Sequence, residues 1–269
     1  MKKILFTVFF LNIFCVNFFC YHKSRGADDF SDFDIHYKLG NEYNISGMID
    51  DAILEYEKAI KINSNSAKAY NNLGVAYGKK NFIDNEILSY TKAISLDTGY
   101  KEAYFNLGIA YGAKGMLDEE IKAYLKVIEL EPDNFEAYYN LGHAYREKKQ
   151  YSESIDAYKK VVALSPLFVD AHFNLGVSYG RKGLLNMEIL QYKRVLELDA
   201  DNAQAHFNLA IVYGEKEMFA EQVREYRVAI AINPAYAKAY KNLESLYRSK
   251  GMIKEADSEL AKYYDLVTH

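Results

Sequence analysis

Six asparagines recur at one fixed interval along the chain: Asn72, Asn106, Asn140, Asn174, Asn208 and Asn242. A carboxamide carries a donor and an acceptor on one short arm, so a row of them can pair with the peptide units of an extended ligand without reading its side chains. At the same interval run an aromatic row, Phe105, Tyr139, Phe173 and Phe207, and an aliphatic row, Val75, Ile109, Val177 and Ile211, which His143 interrupts. An apolar strip of this length on an exposed face marks a partner surface. Amides for a backbone and rings for side chains are the chemistry of sequence-tolerant peptide capture. Arg146 adds a cation that could fix an acidic group or a terminal carboxylate. Gly78, Gly112, Gly180 and Gly214 are expected to let a ligand backbone approach closely, since a glycine inside a helix costs up to about 1 kcal/mol relative to alanine.

Covalent chemistry has no comparable candidates. The two cysteines, Cys15 and Cys20, both lie in the first twenty residues, leaving no thiol downstream for a disulfide, a metal site or a nucleophile. No nucleophile, base and orienting acid stand in a recognisable pattern, and no glycine loop is built to cradle phosphate. His172 and His206 occupy the slot that Tyr104 and Tyr138 fill elsewhere, and read as core aromatics. No enzyme activity, cofactor or metal is expected. A net charge of −4, with lysines interspersed among acids, offers no basic stripe and argues against nucleic acid as a partner.

The elements that must hold these rows are helices. Proline occurs three times and tryptophan not at all, while tyrosine reaches 25 of 269 residues. Shifted against itself by 34 residues, the sequence superposes Tyr43, Tyr77, Tyr111, Tyr145, Tyr179, Tyr213 and Tyr247, and likewise Leu39, Leu73, Leu107, Leu141, Leu175, Leu209 and Leu243. Tyr56, Tyr90, Tyr124, Tyr158, Tyr192 and Tyr226 align as well, and Pro132, Pro166 and Pro234 share one slot where a helix must stop. Within 101–134, Tyr104, Leu107, Gly108 and Tyr111 form one helical face, and Leu117, Ile121, Tyr124 and Ile128 a second. Each repeat is therefore a helical hairpin, with its turn at Gly47, Gly115, Gly183 or Gly251. Asp50, Asp84, Asp118, Ser152 or Asn186 stands in the first turn of the second helix as a negative or capping side chain.

The order aromatic, Leu-Gly, Tyr, small, Tyr, Ala, Pro, as in Tyr70, Leu73, Gly74 and Tyr77, resembles the tetratricopeptide repeat. The resemblance covers 33–266 as seven repeats: 33–66, 67–100, 101–134, 135–168, 169–202, 203–236 and 237–266. It implies an all-α fold, a right-handed α-solenoid superhelix of antiparallel hairpins whose first helices line a concave groove. It also implies a protein or peptide ligand. The asparagine row resembles the ladder in the repeat domain of the O-linked N-acetylglucosamine transferases, which grips peptide backbones. The family's clamp for chaperone tails needs cations, and Glu102 and Asn106 stand where its third repeat would place them, so that clamp is not matched.

Two departures from the family pattern carry expectations. The small residue expected where paired helices cross is Glu86, Glu120, Glu188 or Gln222 in four repeats, opposite small residues at Gly74, Gly108, Gly176 and Ala210. The stem of such a glutamate is expected to pack while its head reaches water or a local donor. Asp257 replaces the isoleucine or valine of Ile53, Ile87, Ile121, Ile155, Ile189 and Val223, which makes the last helix a polar cap.

Residues 1–26 read as targeting: Lys2 and Lys3 precede an apolar run from Ile4 to Tyr21. The run could end in cleavage ahead of Ala27, in lipidation of Cys20, or in retention as a single-pass membrane tether. Each outcome places the repeats outside the cytoplasm, in the periplasm or cell envelope. The sequence thus predicts an exported adaptor that binds partner proteins during assembly of an envelope complex. The rival is a self-associating structural protein, a homo-oligomer joined through its tyrosine-rich surface, and a targeting subunit for a separate enzyme stands behind both.

Overall fold

The computed structural model describes residues 31–268. Residues 1–26, read above as a targeting segment, and Cys20 among them lie outside the described residues. Fourteen helices follow one another, with no strand among the described residues. They are α1 (Asp32–Ile45), α2 (Ile49–Ile62), α3 (Ala67–Lys79), α4 (Ile83–Leu96), α5 (Lys101–Ala113), α6 (Leu117–Leu130) and α7 (Phe135–Glu147). Then come α8 (Tyr151–Leu164), α9 (Val169–Arg181), α10 (Leu185–Leu198), α11 (Ala203–Glu215), α12 (Phe219–Ile232), α13 (Ala237–Ser249) and α14 (Ile253–Thr268). Each odd-numbered helix packs mainly on the next even one, and each even one on the following odd one, which makes an all-α solenoid of stacked hairpins. Among the described residues no helix is long and apolar enough to cross a membrane.

The turn inside each hairpin needs a left-handed residue. Gly47, Gly115, Gly183 and Gly251 supply φ between 72° and 77°, and Asn81, Lys149 and Glu217 take the same conformation in the other repeats. The three prolines follow the ends of α6, α8 and α12, as the sequence predicts.

The core of a hairpin is a ring laid over a glycine. The rings of Tyr56, Tyr90, Tyr124, Tyr158 and Tyr192 lie on Gly40, Gly74, Gly108, Gly142 and Gly176, so closely that a methyl group on Gly108 would stand 2.7 Å from the Tyr124 ring. Contact at that range is repulsive, so the glycine sets how near the two helices come.

This register corrects the expected crossing. Glu86, Glu120, Glu188 and Gln222 do not face the glycines at 74, 108 and 176 or Ala210. They lie one turn further along, on Gly78, Gly112, Gly180 and Gly214, with the Glu120 carboxylate 2.9 Å from where a Gly112 side chain would begin. The second set of glycines therefore makes room for the protein's own side chains, and not for a ligand backbone. Where the first helix carries a larger residue in that slot, the second carries a small one: Arg146 with Ser154, Arg248 with Ala256 and Asn44 with Ala52. Ser154 then bonds the Gly142 carbonyl at 2.8 Å and the Ser178 hydroxyl at 2.9 Å, so its polar atom is satisfied within the core.

The aspartates stand in the first turns of the second helices as negative side chains, one of the two roles expected, and do not cap them. Residues such as Met48, Phe82 and Met116 hold the cap position without any side-chain bond. The acids instead accept from a lysine of the next repeat: Lys80 to Asp50 at 2.9 Å, Lys114 to Asp84 at 2.7 Å, and Lys148 to Asp118. Lys216 to Asn186 repeats the clasp at 2.7 Å. Such exposed pairs add little stability each, but they fix the register of neighbouring hairpins. At the far end, Asp257 of α14 is exposed and pairs with Arg248 at 3.0 Å, and Ala256 is the buried residue of that helix.

Candidate peptide-binding groove

The asparagine row lies half-buried along the first helices α3, α5, α7, α9, α11 and α13, and most of its members are spent between repeats. Asn72 donates to the Tyr37 hydroxyl at 3.1 Å and to Asn41 at 2.9 Å, and accepts from Asn71. Asn106 donates to Asn71 at 3.1 Å, so a relay of amides joins the first three hairpins. Asn174 donates to the Tyr139 hydroxyl at 2.9 Å. Asn208 and Asn242 have a phenylalanine at the corresponding place, Phe173 and Phe207, and reach past it to the Tyr192 and Tyr226 hydroxyls at 3.3 and 3.2 Å. The rule is simple: each amide seeks the nearest polar atom of the preceding repeat.

Asn140 breaks that rule. The preceding aromatic is Phe105, as Phe173 and Phe207 are for Asn208 and Asn242, but Asn140 makes no bond to the Tyr124 hydroxyl sixteen residues earlier, and among the described residues no side chain bonds its amide. The aromatic row itself is half-buried, each ring standing on the core tyrosine of its own hairpin: Phe105 on Tyr124 at 5.7 Å, Tyr139 on Tyr158 at 5.7 Å, Phe173 on Tyr192 at 5.6 Å and Phe207 on Tyr226 at 5.6 Å. Phe207 is buried, so this member of the row belongs to the core.

A cleft of about 690 Å³ opens where α5, α7 and the link between α8 and α9 meet. Phe105, Phe135, Tyr139, Leu167 and Phe168 wall it with apolar surface, and Glu136, Asn140 and Ser165 give it polar edges. Phe168 closes one side, its ring tilted against Tyr139 at 5.2 Å and edge-on to Phe135 at 5.9 Å. Leu167, 71% exposed, forms the rim. Three of the groove residues read from sequence, Phe105, Tyr139 and Asn140, thus converge on one cleft. The other wall residues were missed, although the same 34-residue shift puts Phe168 level with Tyr100 and Tyr236, in a slot that Ser66, Asn134 and Asn202 fill with caps.

Arg146 sits beyond the cleft and is already engaged, its Nη1 donating to Asn174 Oδ1 at 2.6 Å. With Asn174 held by Arg146 and Tyr139, the Tyr158 hydroxyl below it is buried without a hydrogen-bond partner. Tyr158→Phe should therefore be neutral or slightly stabilising, whereas Tyr192→Phe and Tyr226→Phe should each cost about 1 kcal/mol through the orphaned Asn208 and Asn242, measured by urea unfolding.

His172 is buried in its tyrosine slot, but it also bonds Gln191 at 2.9 Å and the Pro166 carbonyl at 3.1 Å. His36 and His206 close on Glu55 and Glu225 at 2.5 and 2.6 Å in the same way. At the matching places Tyr70, Tyr104, Tyr138 and Tyr240 have Ser89, Ala123, Ala157 and Glu259, so every histidine in this slot has a polar residue on the second helix, whereas a tyrosine takes either kind. No group of acidic, histidine or cysteine side chains that could hold a metal is found among the described residues.

Family models described as "TPR repeat" match residues 40–81 and 142–183, and others described as "Tetratricopeptide repeat" match 67–100, 101–134, 123–156 and 169–202. The chain belongs to the tetratricopeptide repeat family. The crystal structure of YrrB, described as "a TPR protein with an unusual peptide-binding site", is 26% identical over 68% of this chain and 95% of its own, with a TM-score of 0.62. A crystal structure of MamA is 30% identical over 62% of this chain and 97% of its own, with a TM-score of 0.59. A tetratricopeptide repeat protein of Parabacteroides merdae ATCC 43184 superposes over 87% of this chain and 93% of its own with a TM-score of 0.65, and at 14% identity that likeness is one of fold alone. None of the curated proteins matches the chain.

Proposed function

We propose that this tetratricopeptide chain is an exported scaffold that holds an extended segment of a partner protein on its first-helix side, during assembly of a complex of the cell envelope. The observation that carries the reading is the cleft beside α7, where an apolar floor meets the one ladder asparagine, among those described, whose amide the fold leaves unused. A ligand peptide unit there would gain the donor and acceptor of Asn140 at no cost to the packing of the repeats, while a side chain entered between Phe105 and Phe168. The likeness to YrrB supports a peptide as ligand. Export rests on Lys2 and Lys3 followed by the apolar run from Ile4 to Tyr21.

A photo-crosslinking residue placed at Leu167, on the cleft rim, tests this against one placed at Leu88, which is equally exposed but on the second helix of its hairpin. Crosslinks from position 167 should map to short extended segments of envelope proteins and should disappear in an Asn140→Ala/Phe105→Ala background. Crosslinks from position 88 alone, or equally from both, would contradict the proposal.

A further inference from the structure

The rim of the cleft carries charge of one sign. Glu136 lines it, and the same slot in the neighbouring first helices holds Glu102 and Asp170. All three are exposed, and none makes an ion pair or hydrogen bond among the described residues, whereas Glu131 nearby is held by Lys101 at 2.7 Å. The slot reads Asp34, Lys68, Glu102, Glu136, Asp170, Gln204 and Lys238 along the solenoid; Asp34 is spent on Ser31 in a capping box, so the acids left without a partner are those of the three central hairpins, where the aromatic wall also stands. An acid in the first turn of a helix favours the macrodipole, and that accounts for a preference at each site singly. It does not account for their coincidence with the cleft.

We infer that the cleft selects a partner segment in which a large apolar side chain is flanked by lysine or arginine; this deepens the groove reading and rests on it. The apolar side chain enters between Phe105, Tyr139 and Phe168, the backbone beside it pairs with Asn140, and the flanking cations lie along Glu102, Glu136 and Asp170. Arg146 keeps its charge but stands outside the cleft walls, held on Asn174 and 3.9 Å from the Glu147 carboxylate, away from the row of acids. The selection is opposite in sign to a clamp for acidic tails.

The test uses three fluorescein-labelled peptides in one glycine-serine frame: lysines flanking a phenylalanine, glutamates flanking a phenylalanine, and lysines flanking a serine. Anisotropy titration of the full chain should show the lysine-phenylalanine peptide binding about tenfold more tightly than either of the others, with affinity falling as salt rises. Glu136→Lys should weaken that peptide about threefold, and Glu102→Lys/Glu136→Lys/Asp170→Lys together should reverse the preference between the lysine and glutamate peptides. If both phenylalanine peptides bind equally and both are lost in Leu167→Ser/Phe168→Ala, the groove stands and the charge selection is overturned. If no peptide responds to Leu167→Ser/Phe168→Ala while the helical content of that variant is unchanged, the groove reading falls with it.

Discussion

Gly108→Val should destabilise the chain by about 3 kcal/mol, the upper end of the usual range for forcing extra atoms into a packed core, whereas Gly112→Ala, one turn along, should be close to neutral. Both glycines are helical and both are crowded from the second helix, but by different things. Over Gly108 lies the ring of Tyr124, itself buried, with the Phe105 ring of the same first helix edge-on to it at 5.7 Å, so the ring has little room to yield without opening the hairpin. Over Gly112 lies the tip of the Glu120 side chain, which can swing aside by rotation about its own bonds. Alanine at 112 also gains helix propensity of up to about 1 kcal/mol, offsetting what contact costs. Urea unfolding followed by circular dichroism distinguishes the pair. Equal losses would show that the second glycine row is as rigidly packed as the first.

Raising the pH from about 5 to about 8 should destabilise the wild-type chain, and Glu86→Gln/Glu120→Gln/Glu188→Gln should remove most of that loss. Burial pushes the Glu120 carboxyl up to about 7, with the Glu147 carboxylate of the next repeat adding to it. Burial pushes Glu188 up to about 7 as well, against a hydrogen bond with Tyr192 and with Glu215 and Arg181 acting in opposite directions. Glu86 is raised by burial and lowered in part by Tyr90. In the unfolded chain these carboxyls return to their ordinary value of 4.5. Between 4.5 and about 7 the folded chain therefore holds more protons than the unfolded one, so stability falls as pH rises and levels off above that window. Glu55 works the other way: burial raises it, but hydrogen bonds from Lys58 and His36 prevail and hold it below 4.5, so its contribution is present above that value and is lost as the pH falls below it. Gln222, which fills the same slot in the sixth hairpin, shows that an amide fits. Urea midpoints across this range should run flat for the triple variant and slope for the wild type, and parallel slopes would place the titrating groups elsewhere.

How far the sequence reaches is clearest at these same positions. A 34-residue shift with aligned Leu, Gly and Tyr determines the hairpins, the turns at the left-handed residues and the stops at proline, because each of those is a local requirement of the backbone. Which residue of one helix faces which of its partner is not local. Setting Glu86 against Gly74 was wrong by one turn, and that single turn converted four glycines that house glutamate or glutamine tips into an apparent opening for a ligand. The covariation of Arg146 with Ser154, and of glycine with glutamate elsewhere, was present in the letters and would have set the register. The asparagine row was legible as a row, but its donors go to hydroxyls 35 residues earlier, at Tyr37 and Tyr139, or 16 earlier, at Tyr192 and Tyr226, so only the packed solenoid singles out Asn140.

The most direct test of the groove is hydrogen–deuterium exchange of the full chain with and without a saturating lysine-phenylalanine peptide. Slowed exchange should be confined to the first turns of α5 and α7 and to the link carrying Leu167 and Phe168, the walls of the cleft. Protection spread instead over the second helices α6, α8 and α10, or confined to α14, would contradict a ligand held on the first-helix side.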